Sequence, residues 1–192
     1  MEEANNIMKK WKVLESKYLY KSPFGNLRED KCLLSNGKII DNYRVNEYSN
    51  WVNIIALTSD NQLILVNQYR HGGGDFFLEI PAGGIEENES PDNAAIRELR
   101  EETGYEGLDK PVEIGCSYVN PSVSNNLIYT YLIRNVEKKS KQETDETEEI
   151  EISSFDFRSI DELIKRGEIK QSFSIAAILM AKKYIEEEKC NE

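Results

Sequence analysis

Three glutamates in the run RELREETG, Glu98, Glu101 and Glu102, stand at i, i+3 and i+4, so a helix through them carries their carboxylates on one face. Like charges at this spacing destabilise a bare helix by about 0.2–0.5 kcal/mol per pair. The arrangement makes chemical sense if it holds a hard divalent cation. Mg²⁺ or Mn²⁺ fits, since both prefer carboxylate and carbonyl oxygens, and Mg²⁺ commonly takes few protein carboxylates while substrate phosphates complete its shell. The chemistry that follows is metal-assisted cleavage of a phosphate-containing substrate. Arg97 precedes Glu101 by one helical turn, where it can pair with that carboxylate and hold it in place.

The surrounding residues predict the element that presents these groups. Ser90, Pro91 and Asp92 read as an N-cap, a proline at the first helical position and an acidic first turn. Gly104 sits where a left-handed residue ends a helix, so a helix over 91–103 is expected. Before it, Gly83 and Gly84 allow a tight bend and a close approach of main chain to a ligand.

The stretch GGIEENESPDNAAIRELREETGY resembles the Nudix box: Gly83, Glu89, Arg97, Glu98, Leu99, Glu101, Glu102 and Gly104 all fall in register with that family's pattern. Tyr105 departs from it, standing at a packing position where the family usually has an aliphatic residue. An ordinary solvated acidic helix would not need the glycines, Glu89 and Arg97 at those spacings. The preceding residues, Gln68, Tyr69, Arg70, Glu79, Pro81, Ala82 and Gly83, are similar to the ADP-ribose (ADP-sugar) pyrophosphatase branch, as is Pro121, sixteen residues past Tyr105. Ser122 stands where that branch usually has glycine, which leaves the sugar nucleotide open.

Composition narrows the alternatives. A formal net charge of −11, with 35 acidic and 24 basic residues, argues against a general binder of nucleic acid or anionic membrane. Cys32, Cys116 and Cys190 lack metal-ligand spacing, and their odd number suits a reducing compartment. No N-terminal apolar segment or long apolar run is evident, so a cytoplasmic protein is expected.

Along the chain, strand-like runs at 17–21, 28–34 and 38–48, with a turn at Ser35-Asn36-Gly37, predict an N-terminal antiparallel meander over residues 1–49. Such a sheet is marginal alone and must pack on something. Residues 50–192 follow as a second domain, with strands expected at 52–57, 63–69, 76–80, 112–119, 127–136 and 150–157 around the box helix. Two C-terminal helices are expected at 159–166 and 173–188, the latter turning Ile175, Ile178, Leu179 and Tyr184 toward the core. The fold class is α+β, a mixed sheet with helices on its faces, and the resemblance implies the Nudix α/β/α sandwich.

The resemblance also implies metal ligands from the Ala82 main-chain carbonyl and from Glu98 and Glu102, with Glu101 close by. It implies substrate contacts from Arg70 and Arg97, and a homodimer through the N-terminal strands. Tyr18, Phe24 and Tyr43 are candidates for an aromatic that stacks on the base. In several members of this branch a glutamate on a loop just before a late strand acts as, or helps to position, the catalytic base, which points first to Glu148, then to Glu149, Glu146 and Glu143. The implied activity is Mg²⁺-dependent hydrolysis of a nucleoside diphosphate sugar, foremost ADP-ribose to AMP and ribose 5-phosphate. GDP-mannose, UDP-glucose or a dinucleotide would use the same box, and a nucleotide-sensing module that binds without cleaving is the alternative from another class.

Overall fold

The computed structural model describes residues 9–144 and 149–191. They fall into two compact units, one of residues 9–49 with Tyr118–Asn126 and the other of Asn50–Ser117 with residues 127–191.

In the first unit, β1 (Lys12–Ser22), β2 (Gly25–Leu33) and β3 (Ile39–Glu47) form an antiparallel meander in that order. Asn36 shapes the second turn, its Oδ1 accepting the Lys38 N–H at 3.0 Å. Among the described residues of this sheet Asp30 and Cys32 are buried, whereas β1 is exposed along most of its length. Arg28 lays its guanidinium across both oxygens of Asp30 at 2.9–3.1 Å, and the Ser16 hydroxyl donates to Asp30 Oδ1 at 2.6 Å. The segment Tyr118–Asn126 belongs to this unit because Asn46 N–H donates to the Val123 carbonyl at 2.7 Å and the Tyr43 hydroxyl to that of Ser122 at 2.5 Å.

The second unit is built on one mixed sheet. Its strands are β4 (Trp51–Leu57), β5 (Gln62–Arg70), β6 (Asp75–Glu79), β7 (Ala82–Gly84), β9 (Val112–Tyr118), β10 (Leu127–Arg134) and β12 (Ile150–Asp156). The order is β12-β5-β4-β10-β9, with β6 added on β5 and β7 on β4. β10 runs parallel to β4, and β5, β6, β7 and β12 pair antiparallel. Two short strands, β8 (Tyr105–Gly107) and β11 (Val136–Lys138), form a separate ribbon.

Strand alternation divides the core in two. Val52, Ile54, Ala56 and Ile64 face helix α1 (Pro91–Thr103), where they meet Ala94, Ala95 and Leu99. Ile55, Leu57, Leu63 and Leu65 face the other way, onto α2 (Ile160–Lys165) and α3 (Ser172–Asn191), through Ile160, Leu163, Ala177, Ile178 and Ala181. A strand apolar on both faces has to be covered on both faces. The result is the expected α/β/α layering.

Two details correct the sequence expectation. The strand expected at 127–136 stops at Arg134, because Asn135 adopts φ 51° and Val136 starts β11 instead. Leu179, expected in the core, is 53% exposed. The buried stripe of α3 is Ser174, Ala177, Ile178 and Ala181, spaced i, i+3, i+4 and i+7, and Leu179 lies a third of a turn away from it.

Candidate active site

Helix α1 follows a turn whose N-cap is Ser90, with Pro91 at its first position. The Ser90 hydroxyl makes no capping bond. It serves Asp92, whose carboxyl is held below the usual range by that hydroxyl and by N–H groups of the first turn. Ala94, Ala95 and Leu99 anchor α1 to the sheet, which leaves Glu98, Glu101 and Glu102 along the side that meets β7. Glu102 is 5% exposed, and its Oε2 accepts the Ala82 N–H at 3.1 Å. Ala82, expected to offer its carbonyl to a cation, therefore sits directly against this carboxylate.

Gly83 explains why this position tolerates no side chain. A Cβ there would lie 2.0–2.2 Å from the Glu98 carboxyl group, so glycine lets that carboxylate rest against the backbone of β7.

Arg97 organises the rest. Its Nε and Nη2 bind the two oxygens of Glu89 at 2.9 and 2.8 Å, a two-pronged pair, and Nη2 also donates to the Gly84 carbonyl at 2.9 Å. Nη1 donates to Glu98 Oε1 at 2.8 Å and to Glu101 Oε2 at 3.1 Å. A guanidinium has five N–H groups, and all are engaged inside the box. The hydrogen bonds Arg97 donates to Glu89, then those to Glu98 and Glu101, raise its pKa above the usual range, and Arg97 in turn holds the Glu89 carboxyl below its own. Of the two tasks expected of Arg97, the structure places it in pairing with Glu101, with no N–H left over for a substrate phosphate.

The end of α1 ties down a second segment. Gly104 adopts φ 70° and donates its N–H to the Arg100 carbonyl at 2.7 Å, and a Cβ on it would lie 2.3 Å from the Ser140 carbonyl oxygen. Lys139 and Ser140 donate to the Gly104 carbonyl, and Glu143 N–H donates to that of Glu101 at 2.9 Å. Gln142 Nε2 donates to the Glu102 carbonyl at 2.7 Å and to that of Ile150 at 3.1 Å. Glu143 thereby joins Gly84, Glu86, Arg97, Glu98, Glu101 and Glu102 around an open cleft of about 340 Å³.

Of the loop glutamates, Glu148 and Glu146 lie outside the described residues, Glu149 is exposed just before β12, and Glu143 is on the cleft wall. Arg70 is not on that wall. It binds Glu79 Oε2 through Nε and Nη2 at 3.1 and 2.7 Å, and Glu79 is 1% exposed. Gln142 escaped the sequence reading. Its partners lie 40 and 8 residues away, so no local pattern announces it.

The donor set suits a hard cation: three carboxylates stand beside a backbone strand, one of them brought to contact by a glycine. Among the described residues no three ligand groups form a finished cage, and Arg97 Nη1 bridges Glu98 and Glu101.

Comparison with known proteins agrees with this geometry. The NUDIX domain model matches residues 49–176. The chain belongs to the Nudix family. The meander matches a second family model, the nucleoside diphosphate sugar hydrolase N-terminal domain, over residues 11–46. This Nudix hydrolase is 27% identical to the ADP-ribose pyrophosphatase of Bacillus subtilis over 168 residues, 87% of this chain and 90% of the relative. It is 60% identical to the mouse ADP-sugar pyrophosphatase over 45 residues, 23% of this chain and 21% of that one. A crystal structure of an ADP compounds hydrolase superimposes with a TM-score of 0.82 at 19% identity, covering 94% of this chain and 97% of the other, which is a likeness of fold. A Nudix box of this composition calls for a divalent cation. Among the described residues no helix is long and apolar enough to cross a membrane.

Proposed function

We propose that this Nudix hydrolase cleaves the pyrophosphate bond of ADP-ribose, giving AMP and ribose 5-phosphate, with Mg²⁺ or Mn²⁺ as cofactor. The observation that carries the reading is the carboxylate triad of Glu98, Glu101 and Glu102 in an open cleft, the first two bridged by Arg97 and the third bonded to the Ala82 N–H of β7. The names of the Bacillus subtilis and mouse relatives support the choice of substrate. Glu98, Glu102 and the Ala82 carbonyl would hold the ion, with Glu101 beside them. When bound, the ion supplies charge neutralisation at the diphosphate oxygens and acidifies water.

The chain's own residues do the rest. Arg97 fixes the carboxylates in place without touching substrate. Arg70, preset by Glu79 and with three N–H groups outside that pair, binds phosphate or the terminal ribose. Glu148 takes the proton of the attacking water as its oxygen bonds to phosphorus and the bond to the bridging oxygen breaks, a role typically worth about 10²- to 10⁴-fold in rate. The expected result is AMP release from ADP-ribose that requires Mg²⁺ and exceeds release from GDP-mannose, UDP-glucose and dinucleotides. Mass analysis of the products in ¹⁸O-water checks this. Folded protein that turns over none of that panel with metal present refutes it.

The meander is the dimerisation element in this reading. β1 exposes Val13, Leu14, Leu19 and Tyr20, each more than two fifths accessible, and a three-stranded sheet with so bare an outer strand is marginal alone. Of the three aromatic candidates for base stacking, Tyr43 is engaged with Trp11, ring centroids 5.7 Å apart, whereas Phe24 is 91% exposed at the β1–β2 turn. Light scattering is expected to give twice the 22.1 kDa chain mass. A monomer at micromolar concentration would end this part of the proposal.

A further inference from the structure

We infer that Glu79 is a positioning residue for Arg70, setting that guanidinium relative to the carboxylate cleft so that one diphosphate is held from both sides. The inference rests on the reading that the substrate is a diphosphate sugar held with a cation.

The ion pair is lopsided. The Glu79 side chain is 2% exposed and that of Arg70 41%. Glu79 Oε2 accepts from both Nε and Nη2 of Arg70, whereas Oε1 is buried without a hydrogen-bond partner among the described residues. As a staple between strands such a pair is poor, since a buried charge pair with an oxygen left unsatisfied is no better than two apolar side chains. Nor does β6 need a staple, because it runs in register with β5 from Glu79 against Val66 to Asp75 against Arg70. What the pair achieves is to engage one edge of a rigid planar group and leave another. Nε and Nη2 form the side of the guanidinium, so its end, with parallel N–H groups on Nη1 and Nη2, stays available, and that fork matches two phosphate oxygens at once.

The chain beyond Glu79 carries this placement to the cleft. Ile80, 1% exposed, donates its N–H to Ser174 Oγ at 3.2 Å. The Pro81 carbonyl accepts the Ile54 N–H at 2.9 Å, and the Ala82 N–H goes to Glu102 Oε2 at 3.1 Å. Three residues span at most about 10 Å, and each of these three is tied down. The residue that grips Arg70 and the residue that receives Glu102 therefore belong to one pinned segment. An arginine that served only as a surface cation would need neither the buried carboxylate nor this connection.

The test is Glu79→Gln in the full chain, which keeps the size of the side chain and an acceptor oxygen but removes the charge. A guanidinium no longer gripped has to be ordered by the ligand, so KM for ADP-ribose should rise about 3- to 10-fold while kcat stays within about twofold. Independently of turnover, calorimetric titration with inorganic pyrophosphate in Mg²⁺ should show binding weakened by the same factor. In the Arg70→Lys background an ammonium still neutralises the buried carboxylate but has no second edge to offer, so Glu79→Gln should there change KM and pyrophosphate binding by less than about twofold. Unchanged KM and pyrophosphate binding in Glu79→Gln, whatever happens to its melting temperature, overturns the inference, as does an equal rise in KM in both backgrounds. A parent that binds pyrophosphate but turns over no ADP-ribose sinks the substrate reading, and the pyrophosphate titrations still decide the role of Glu79. A parent that does neither overturns both.

Discussion

Glu102→Gln is expected to abolish most turnover without loosening the fold. Interaction with a bound cation is worth several kcal/mol of transition-state stabilisation, and each 1.36 kcal/mol is tenfold, so kcat for ADP-ribose should fall about 10²- to 10⁴-fold. The substitution keeps the shape, and the new amide oxygen can still accept the Ala82 N–H that Glu102 Oε2 accepts now at 3.1 Å. It also removes one charge from a self-repelling row. Relief of about 0.2–0.5 kcal/mol per like pair should leave the melting temperature equal or slightly higher when measured in chelator. Calorimetric titration should show weakened Mg²⁺ or Mn²⁺ binding in parallel with the kinetic loss. A variant that melts like the parent and keeps its turnover would show that the triad is not the ion site.

Much of this architecture was legible beforehand for a physical reason. Val52–Leu57 and Leu63–Val66 are apolar at every position but one, so they have to be covered on both sides, and the two core clusters take Val52, Ile54, Ala56 and Ile64 on one side and Ile55, Leu57, Leu63 and Leu65 on the other. The helix at 91–103 was legible because both ends carry their own signals, Pro91 at one and left-handed Gly104 at the other. Where local signals conflict with tertiary context, the reading slipped. Leu179 is apolar by type, but the face of α3 that meets the sheet is chosen by the small residues Ala177 and Ala181, which let the helix approach closely.

The site divides the same way. Glu98, Glu101 and Glu102 could be placed together because helical spacing relates them. Their arrangement depends on groups related only through the fold: Gly83, whose missing Cβ admits Glu98, and Gln142, which reaches α1 from a later loop. Arg70 could be seen as a cation at a strand end, but its buried partner Glu79 is met across the β5–β6 pairing, nine residues on. Glu79 Oε1, buried and without a hydrogen-bond partner among the described residues, shows that the pair leans on one oxygen alone.

Arg97→Ala should have the largest effect on stability. The Arg97 side chain is 20% exposed, and its removal strands Glu89, Glu98 and Glu101, which are 15%, 14% and 31% exposed. Breaking a fully buried pair from one side costs about 3–5 kcal/mol, which partial exposure reduces to about 2–4 kcal/mol. At about 2–4 °C per kcal/mol for a chain of this size, the melting temperature in chelator should fall by about 4–16 °C. The loss has a defined pH dependence. Hydrogen bonds from Arg97 depress the Glu89 carboxyl below its ordinary 4.5, so the stability it contributes is fully present above that value and is lost as pH falls through the depressed one. The gap between parent and variant should therefore be wide at pH 7 and close progressively below pH 4.5, where Arg97 stays charged and Glu89 takes up a proton. Arg97→Lys restores a point charge but no fork, so it should recover only a minor part of the difference. Equal melting of Arg97→Ala and the parent at pH 7, or a gap that does not narrow in acid, would contradict the view that one guanidinium holds three acidic residues of the box, Glu89, Glu98 and Glu101, in working order.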